Sequence, residues 1–147
     1  MEVHSKANIL VVDDEELIRD VVCLMLKTLG YEPTSALHAF EALNLIQSVD
    51  GFQLVLTDIN MPAIDGWEFA RRVKELKPCL PIVALTGDSP SDVLRRLKSS
   101  GISHALFKPI KMNLLGDALT SILESTTDTY AIECVASGDK DLSFKYI

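Results

Sequence analysis

The sequence predicts an α/β domain built on a doubly wound, five-stranded parallel sheet in the order 2-1-3-4-5. Three observations lead there. Short apolar runs alternate five times with segments of helical spacing between residues 9 and 123. The principal runs are continuous rather than alternating, as in strands buried on both faces of a parallel sheet. Right-handed crossovers then leave few topologies, of which 2-1-3-4-5 is the small five-strand solution.

The elements follow in order. Residues 9–12 (Ile-Leu-Val-Val) form a β-branched apolar run that stops at Asp13 and Asp14. Residues 15–29 have helical spacing, with Gly30 placed to end that helix. Residues 32–36 read as a weaker strand, and residues 39–47 as a second helix with Leu43 and Ile46 inward. A third strand over 52–57 ends at Asp58, and residues 60–66 form a turn before a helix over 67–76. Residues 81–85 make a fourth strand ending at Thr86. Pro90 stands in the first turn of the next helix, where its missing N–H costs nothing, and Gly101 closes it. Residues 104–107 are the fifth strand, ending at Lys108 and Pro109, and residues 114–123 the last helix.

Composition narrows the function classes. The chain has 147 residues, 48% hydrophobic and 24% charged, which suits one globular domain with a core of its own. A formal net charge of −7 disfavours binding to a nucleic-acid backbone, which needs clustered Lys and Arg. No apolar run approaches the roughly 18 residues of a membrane span, and no secretory signal opens the chain, so a cytoplasmic protein without membrane insertion is expected. Cys23, Cys79 and Cys134 show no C-x-x-C pairing, and read as reduced thiols in small apolar environments. His4, His38 and His104 lack ligand spacing.

The informative feature is where the polar residues fall. In a parallel α/β sheet all strand C-termini share one edge, and ligands bind there. Asp13, Asp14, Asp58, Thr86 and Lys108 therefore converge. Three carboxylates together repel one another unless a cation joins them, and hard oxygen donors suit Mg²⁺. A divalent cation and an ammonium beside a carboxylate make a phosphoryl-transfer site in which the carboxylate is the nucleophile.

Four segments, NILVVDDEE, LVLTDINMPAIDG, IVALTGD and HALFKPI, resemble in order the signature segments of response-regulator receiver domains, which share the flavodoxin-like fold. The resemblance covers residues 7–124, leaving 125–147 as a C-terminal extension. It implies that Asp58 is the phosphoacceptor, that Thr86 and Lys108 bind the phosphoryl oxygens, and that Pro109 follows a cis peptide bond. For Mg²⁺ it implies direct ligation by Asp14, Asp58 and the backbone carbonyl of Asn60, and a contact through water for Asp13. It also implies a histidine kinase or histidine phosphotransfer protein as donor. The protein is then expected to accept a phosphoryl group and hydrolyse it, without turning over added substrate. Its output is by protein contact rather than through DNA, from a monomer or weak homodimer.

Alternatives stand beside these assignments. Asp13 or Asp14 can cap the first helix, and Glu15 and Glu16 suit its positive end better than a metal. Asp88 is either a solvated loop acid or an influence on phosphoryl lifetime, and Trp67 a packing residue. An aspartate-nucleophile phosphatase usually carries two aspartates one residue apart after the first strand, whereas here Asp13 and Asp14 are adjacent. A receiver that no longer accepts phosphate is opposed by the intact acidic set, and no glycine-rich phosphate loop supports a flavin. One departure concerns switching: Ala105 stands where many receivers carry an aromatic, so the response should shift toward residues 86–91 and the following helix. The first helix has an apolar arc of about 200°, wider than the roughly 100° a surface helix needs. Either it packs deeply, or one edge including Val22 and Leu26 faces a partner. The apolar alternation of 130–135 and 142–147 reads as a hairpin or a mobile tail that covers the face after Thr86 or pairs with another chain.

Overall fold

The computed structural model describes residues 7–125. Ten elements alternate: β1 (Asn8–Val12), α1 (Glu16–Thr28), β2 (Glu32–Ala36), α2 (Ala39–Ser48), β3 (Phe52–Asp58), α3 (Gly66–Leu76), β4 (Ile82–Thr86), α4 (Pro90–Ser100), β5 (His104–Phe107) and α5 (Met112–Ser125). The strands are all parallel, in the order β2-β1-β3-β4-β5. This is the predicted doubly wound sheet. Residues 126–147, which hold the expected hairpin or tail, lie outside the described residues.

The period of two explains why the inner strands had to be apolar throughout. Ile9 and Val11 of β1, Leu54 and Leu56 of β3, and Val83 and Leu85 of β4 pack with Val22, Leu26, Leu115 and Leu119 of α1 and α5. Their neighbours Leu10, Val12, Val55, Ile82 and Ala84 point the other way, onto Ala42, Ile46, Phe69, Val73, Val93 and Leu97 of α2, α3 and α4. Each strand thus feeds two cores. β2 is weaker because it is an edge: Pro33 offers no ladder donor, and only Ala36 of its five residues is buried.

Local chemistry sets the helix ends. Gly30 and Gly101 adopt left-handed φ values of 95° and 85°, ending α1 and α4. Asp65 caps α3 by accepting from the Glu68 N–H at 2.9 Å, and His38 caps α2 by accepting from the Glu41 N–H at 3.2 Å. Arg96 of α4 lays its guanidinium 4.4 Å from the Trp67 ring centre, so Trp67 is a packing residue between α3 and α4.

Two expectations are corrected. Val22 and Leu26 are buried in the core, whereas Leu17, Val21 and Leu24 are the exposed apolar residues of α1, with Leu17 74% exposed. The sheet lies on one side of a helix whose apolar arc is too wide for it to cover, and Leu17, Val21 and Leu24 lie on the uncovered edge. Cys79, between α3 and β4, is disulfide-bonded, while Cys23 is free. An odd number of cysteines leaves room for one pair, and their spacing does not report the distance between Cα atoms that decides it.

Candidate functional site

The site forms where β1, β3, β4 and β5 end. β1 delivers Asp13, which is 1% exposed, and the chain then turns so that Asp14 faces solvent. The Asp13 carboxylate oxygen Oδ1 accepts from the Glu15 N–H at 2.9 Å, ordering the turn into α1, and Arg19 donates to the Asp13 backbone carbonyl at 2.7 Å. Glu15 occupies the helix cap without a side-chain capping bond, so neither Asp13 nor Asp14 is the N-cap residue.

Asp58 is the last residue of β3 and 5% exposed. Its Oδ1 accepts from the Ile59 N–H at 2.8 Å and lies 3.6 Å from Lys108 Nζ. The same ammonium is 3.4 Å from Asp13 Oδ2, so one cation from the β5–α5 loop bridges two buried acids. The peptide bond between Lys108 and Pro109 is cis, and the Lys108 N–H donates to the Thr86 carbonyl at 2.8 Å, tying the lysine's backbone to the end of β4.

Oxygens of Asp13, Asp14 and Asp58 all lie within 4.8 Å of one another. Three acids face one ammonium in this pocket, and burial raises the Asp58 carboxyl above its ordinary range. Lys108 opposes that shift, and Asp13 adds to it. An all-oxygen donor set with surplus negative charge and one solvent-facing member fits a hard divalent cation, and the three aspartates could hold one.

Thr86 is fully buried at the end of β4, and its Oγ1 accepts from the Asp88 N–H at 3.0 Å. Asn60 extends the site on its outer side: its Nδ2 donates to Asp88 Oδ1 at 2.8 Å, joining the loop after β3 to the loop after β4. The sequence held no signal for this link beyond the two-residue offsets of Asn60 from Asp58 and of Asp88 from Thr86. Arg19 was missed as well, because a helical arginine six residues after an aspartate has no distinctive pattern.

In the turn expected over residues 60–66, the positive φ falls on Ala63, at 69°. Gly66 is required for contact: a Cβ there would meet the Asp58 carbonyl oxygen at 2.4 Å and Ile59 Cα at 2.7 Å. The Gly66 N–H donates to the Ile59 carbonyl at 2.6 Å, which closes the loop under the site.

Residues 9–120 match the family model described as "response regulator receiver domain". The chain belongs to the response regulator receiver family. Among curated relatives, this receiver is 33% identical over 123 residues to the sensor histidine kinase RcsC of Salmonella typhimurium, a match that covers 84% of this chain and 13% of that protein. It is 32% identical over 118 residues to the sensor protein EvgS of Escherichia coli, covering 80% and 10%. The receiver therefore spans only a small part of the length of these relatives. Its fold superposes on the Vibrio cholerae chemotaxis protein CheY4 with a TM-score of 0.75 at 31% identity, covering 80% of this chain and 99% of that one. The signal receiver domain of an HD domain-containing protein from Pseudomonas fluorescens gives 0.77 at 28% identity, covering 86% and 93%. Receivers are modules of two-component signalling.

Proposed function

We propose that Asp58 accepts a phosphoryl group from a phosphohistidine on a histidine kinase or histidine phosphotransfer protein. The observation that carries this reading is the convergence of three carboxylates within 4.8 Å with an ammonium across two of them. The Ile59 N–H and Lys108 Nζ both meet the Asp58 carboxylate at Oδ1, and we assign attack to Oδ2. The new P–O bond forms as the P–N bond breaks, and the departing imidazole takes up a proton. Lys108 neutralises charge on the phosphoryl oxygens, and the Thr86 hydroxyl donates to one of them after releasing the Asp88 N–H. Asp13, Asp14, Asp58 and the Asn60 carbonyl would hold Mg²⁺, with Asp13 acting through water. When bound, the ion supplies positive charge for an anionic nucleophile and an anionic phosphoryl group to meet.

The domain would act as a stoichiometric acceptor that hydrolyses its own acyl phosphate, working in the cytoplasm as a monomer or weak homodimer. With Ala105 half-buried on β5, the response is assigned to residues 86–97, and output is by protein contact. Incubating the full chain with a small acyl-phosphate donor and Mg²⁺, followed by intact mass, tests the proposal. One added phosphoryl group on Asp58 is expected, and none when a chelator replaces Mg²⁺ during the incubation. Absence of an adduct, or an adduct on Ser or Thr, overturns it.

Two further outcomes follow. Excess Mg²⁺ should raise the melting temperature, because a ligand bound only by the native state stabilises by about 2.7 kcal/mol at a hundred times its dissociation constant. Asp14→Ala should remove most of that rise, and an unchanged rise in the variant would place the ion elsewhere. The exposed Leu17, Val21 and Leu24 line the helix that starts beside the acidic pocket, and are assigned to docking of the protein donor. Leu17→Asp should slow transfer from a phosphorylated protein donor about tenfold and leave labelling by a small acyl phosphate unchanged, since burying one such side chain contributes ~1.5 kcal/mol or more. Equal slowing with both donors would rule this surface out.

A further inference from the structure

Charge is unevenly spread over this acidic chain. Helices α3 and α4 hold six of the 14 Lys and Arg of the sequence but three of its 21 Asp and Glu, a formal +3 that leaves −10 for the remainder. The two helices pack together, and a cleft of about 330 Å³ between them is lined by Asp65, Trp67, Glu68 and Arg71 on the α3 side and by Arg96 on α4. We propose that this cleft binds a carboxylate on an acidic segment of a partner protein, with Arg96 as its main contact.

The ion pairs on the two helices single out Arg96. Glu68 is shared by Arg71 and Arg72, Glu75 pairs with Arg71, and Asp92 pairs with Arg95, so all three acids are taken. Lys74 donates to the Pro78 and Leu80 carbonyls. Asp65 is engaged as the cap of α3. Arg96 instead lies 4.4 Å from the Trp67 ring centre, and among the described residues no carboxylate pairs with it. The ring holds the side chain without neutralising it, so less freedom is lost when an anion arrives. A guanidinium presents its N–H donors as a planar fork that matches the two oxygens of a carboxylate. Size and field fix the class of partner. The cleft is near the small end of ligand sites, with room for one or two side chains. The −10 on the rest of the chain repels a long polyanion such as a nucleic-acid backbone. One or two carboxylates on a protein surface feel chiefly the positive charge within a Debye length of about 8 Å. The inference names the chemistry of a contact and does not rest on phosphoryl transfer at Asp58.

The test uses the full chain without a phosphoryl donor. The probe is an end-blocked pentaglutamate peptide, with pentaglutamine as its control. Trp67 is the only tryptophan in the sequence, so its fluorescence reports on the cleft, and backbone amide shifts give the dissociation constant where a substitution alters the emission. A saturable change is expected with the glutamate peptide and none with the glutamine peptide. Arg96→Gln should weaken binding about tenfold, the effect of losing one charge-assisted hydrogen bond. Arg95→Gln removes the same charge one residue away, from an exposed pair with Asp92, and should weaken binding less than about twofold. Arg96→Lys keeps the charge and the ring contact but not the fork, and should fall between them. Equal weakening by Arg95→Gln and Arg96→Gln would mean a diffuse field rather than a site, and would overturn the proposal. So would the absence of a saturable change, amide shifts centred on Lys108, tighter binding of an oligonucleotide than of the peptide, or self-association of the chain that the peptide disperses.

Discussion

Asp58→Asn should lose phosphoryl labelling entirely and, in metal-free buffer, melt a few degrees higher than the native chain. The loss follows from chemistry: an amide oxygen is far too weak a nucleophile to displace a phosphoryl group. The gain follows from the surroundings of the carboxylate. Asp58 is buried beside Asp13, and burial above all raises its carboxyl over the ordinary range. A group whose folded pKa exceeds its unfolded value binds more protons in the native state across that interval. Stability therefore falls as pH rises from the unfolded value of 3.8 through the native one, and the penalty is complete above it. Asparagine carries no such penalty, keeps an oxygen for the Ile59 N–H, and leaves Lys108 with Asp13 at 3.4 Å. The difference in melting temperature between variant and native chain should thus be largest near neutral pH and shrink toward pH 4. Thermal melts across that range in a chelator measure it. A variant less stable than the native chain at neutral pH would mean that Lys108 outweighs burial.

Gly66→Ala should cost stability and acceptor function together. The added Cβ would press on backbone, at 2.4 Å from the Asp58 carbonyl oxygen and 2.7 Å from Ile59 Cα, so rotation of a side chain cannot relieve it. Overpacking of this kind typically costs about 1–3 kcal/mol, or very roughly 3–10 °C for a domain near this size. The atom displaced is part of Asp58 itself, so the carboxylate should move with it. A shift of about 1 Å at a reacting group can slow reaction ~100-fold. Gly87 supplies the contrast, since it adjoins Thr86 yet nothing lies within 4 Å of its Cβ position. Gly87→Ala should change stability by less than about 0.5 kcal/mol. Melting curves and labelling rates for the two variants decide the matter, and equal effects would refute the close-contact account of Gly66.

The sheet and the membership of the site were legible because they rest on short-range rules. Strands buried on both faces need unbroken apolar runs, and 9–12, 52–57 and 81–85 supply them. A parallel sheet puts every strand end on one edge, so Asp13, Asp14, Asp58, Thr86 and Lys108 had to meet once the strands were recognised. Only the tertiary structure decided how those residues divide the work. Adjacent residues in extended chain point opposite ways, and it took the packed sheet to bury Asp13 and leave Asp14 in solvent. The wide apolar arc of α1 had no direction until sheet and α5 covered Val22 and Leu26 and left Leu17, Val21 and Leu24 bare. Gly66 looked like a turn residue because a sequence carries no distances; its reason is a carbonyl eight residues earlier, brought near by the loop's path. The Asn60–Asp88 hydrogen bond has the same character. It depends on where two distant backbones pass one another, which is fixed by the sum of many packing contacts rather than by any local pattern.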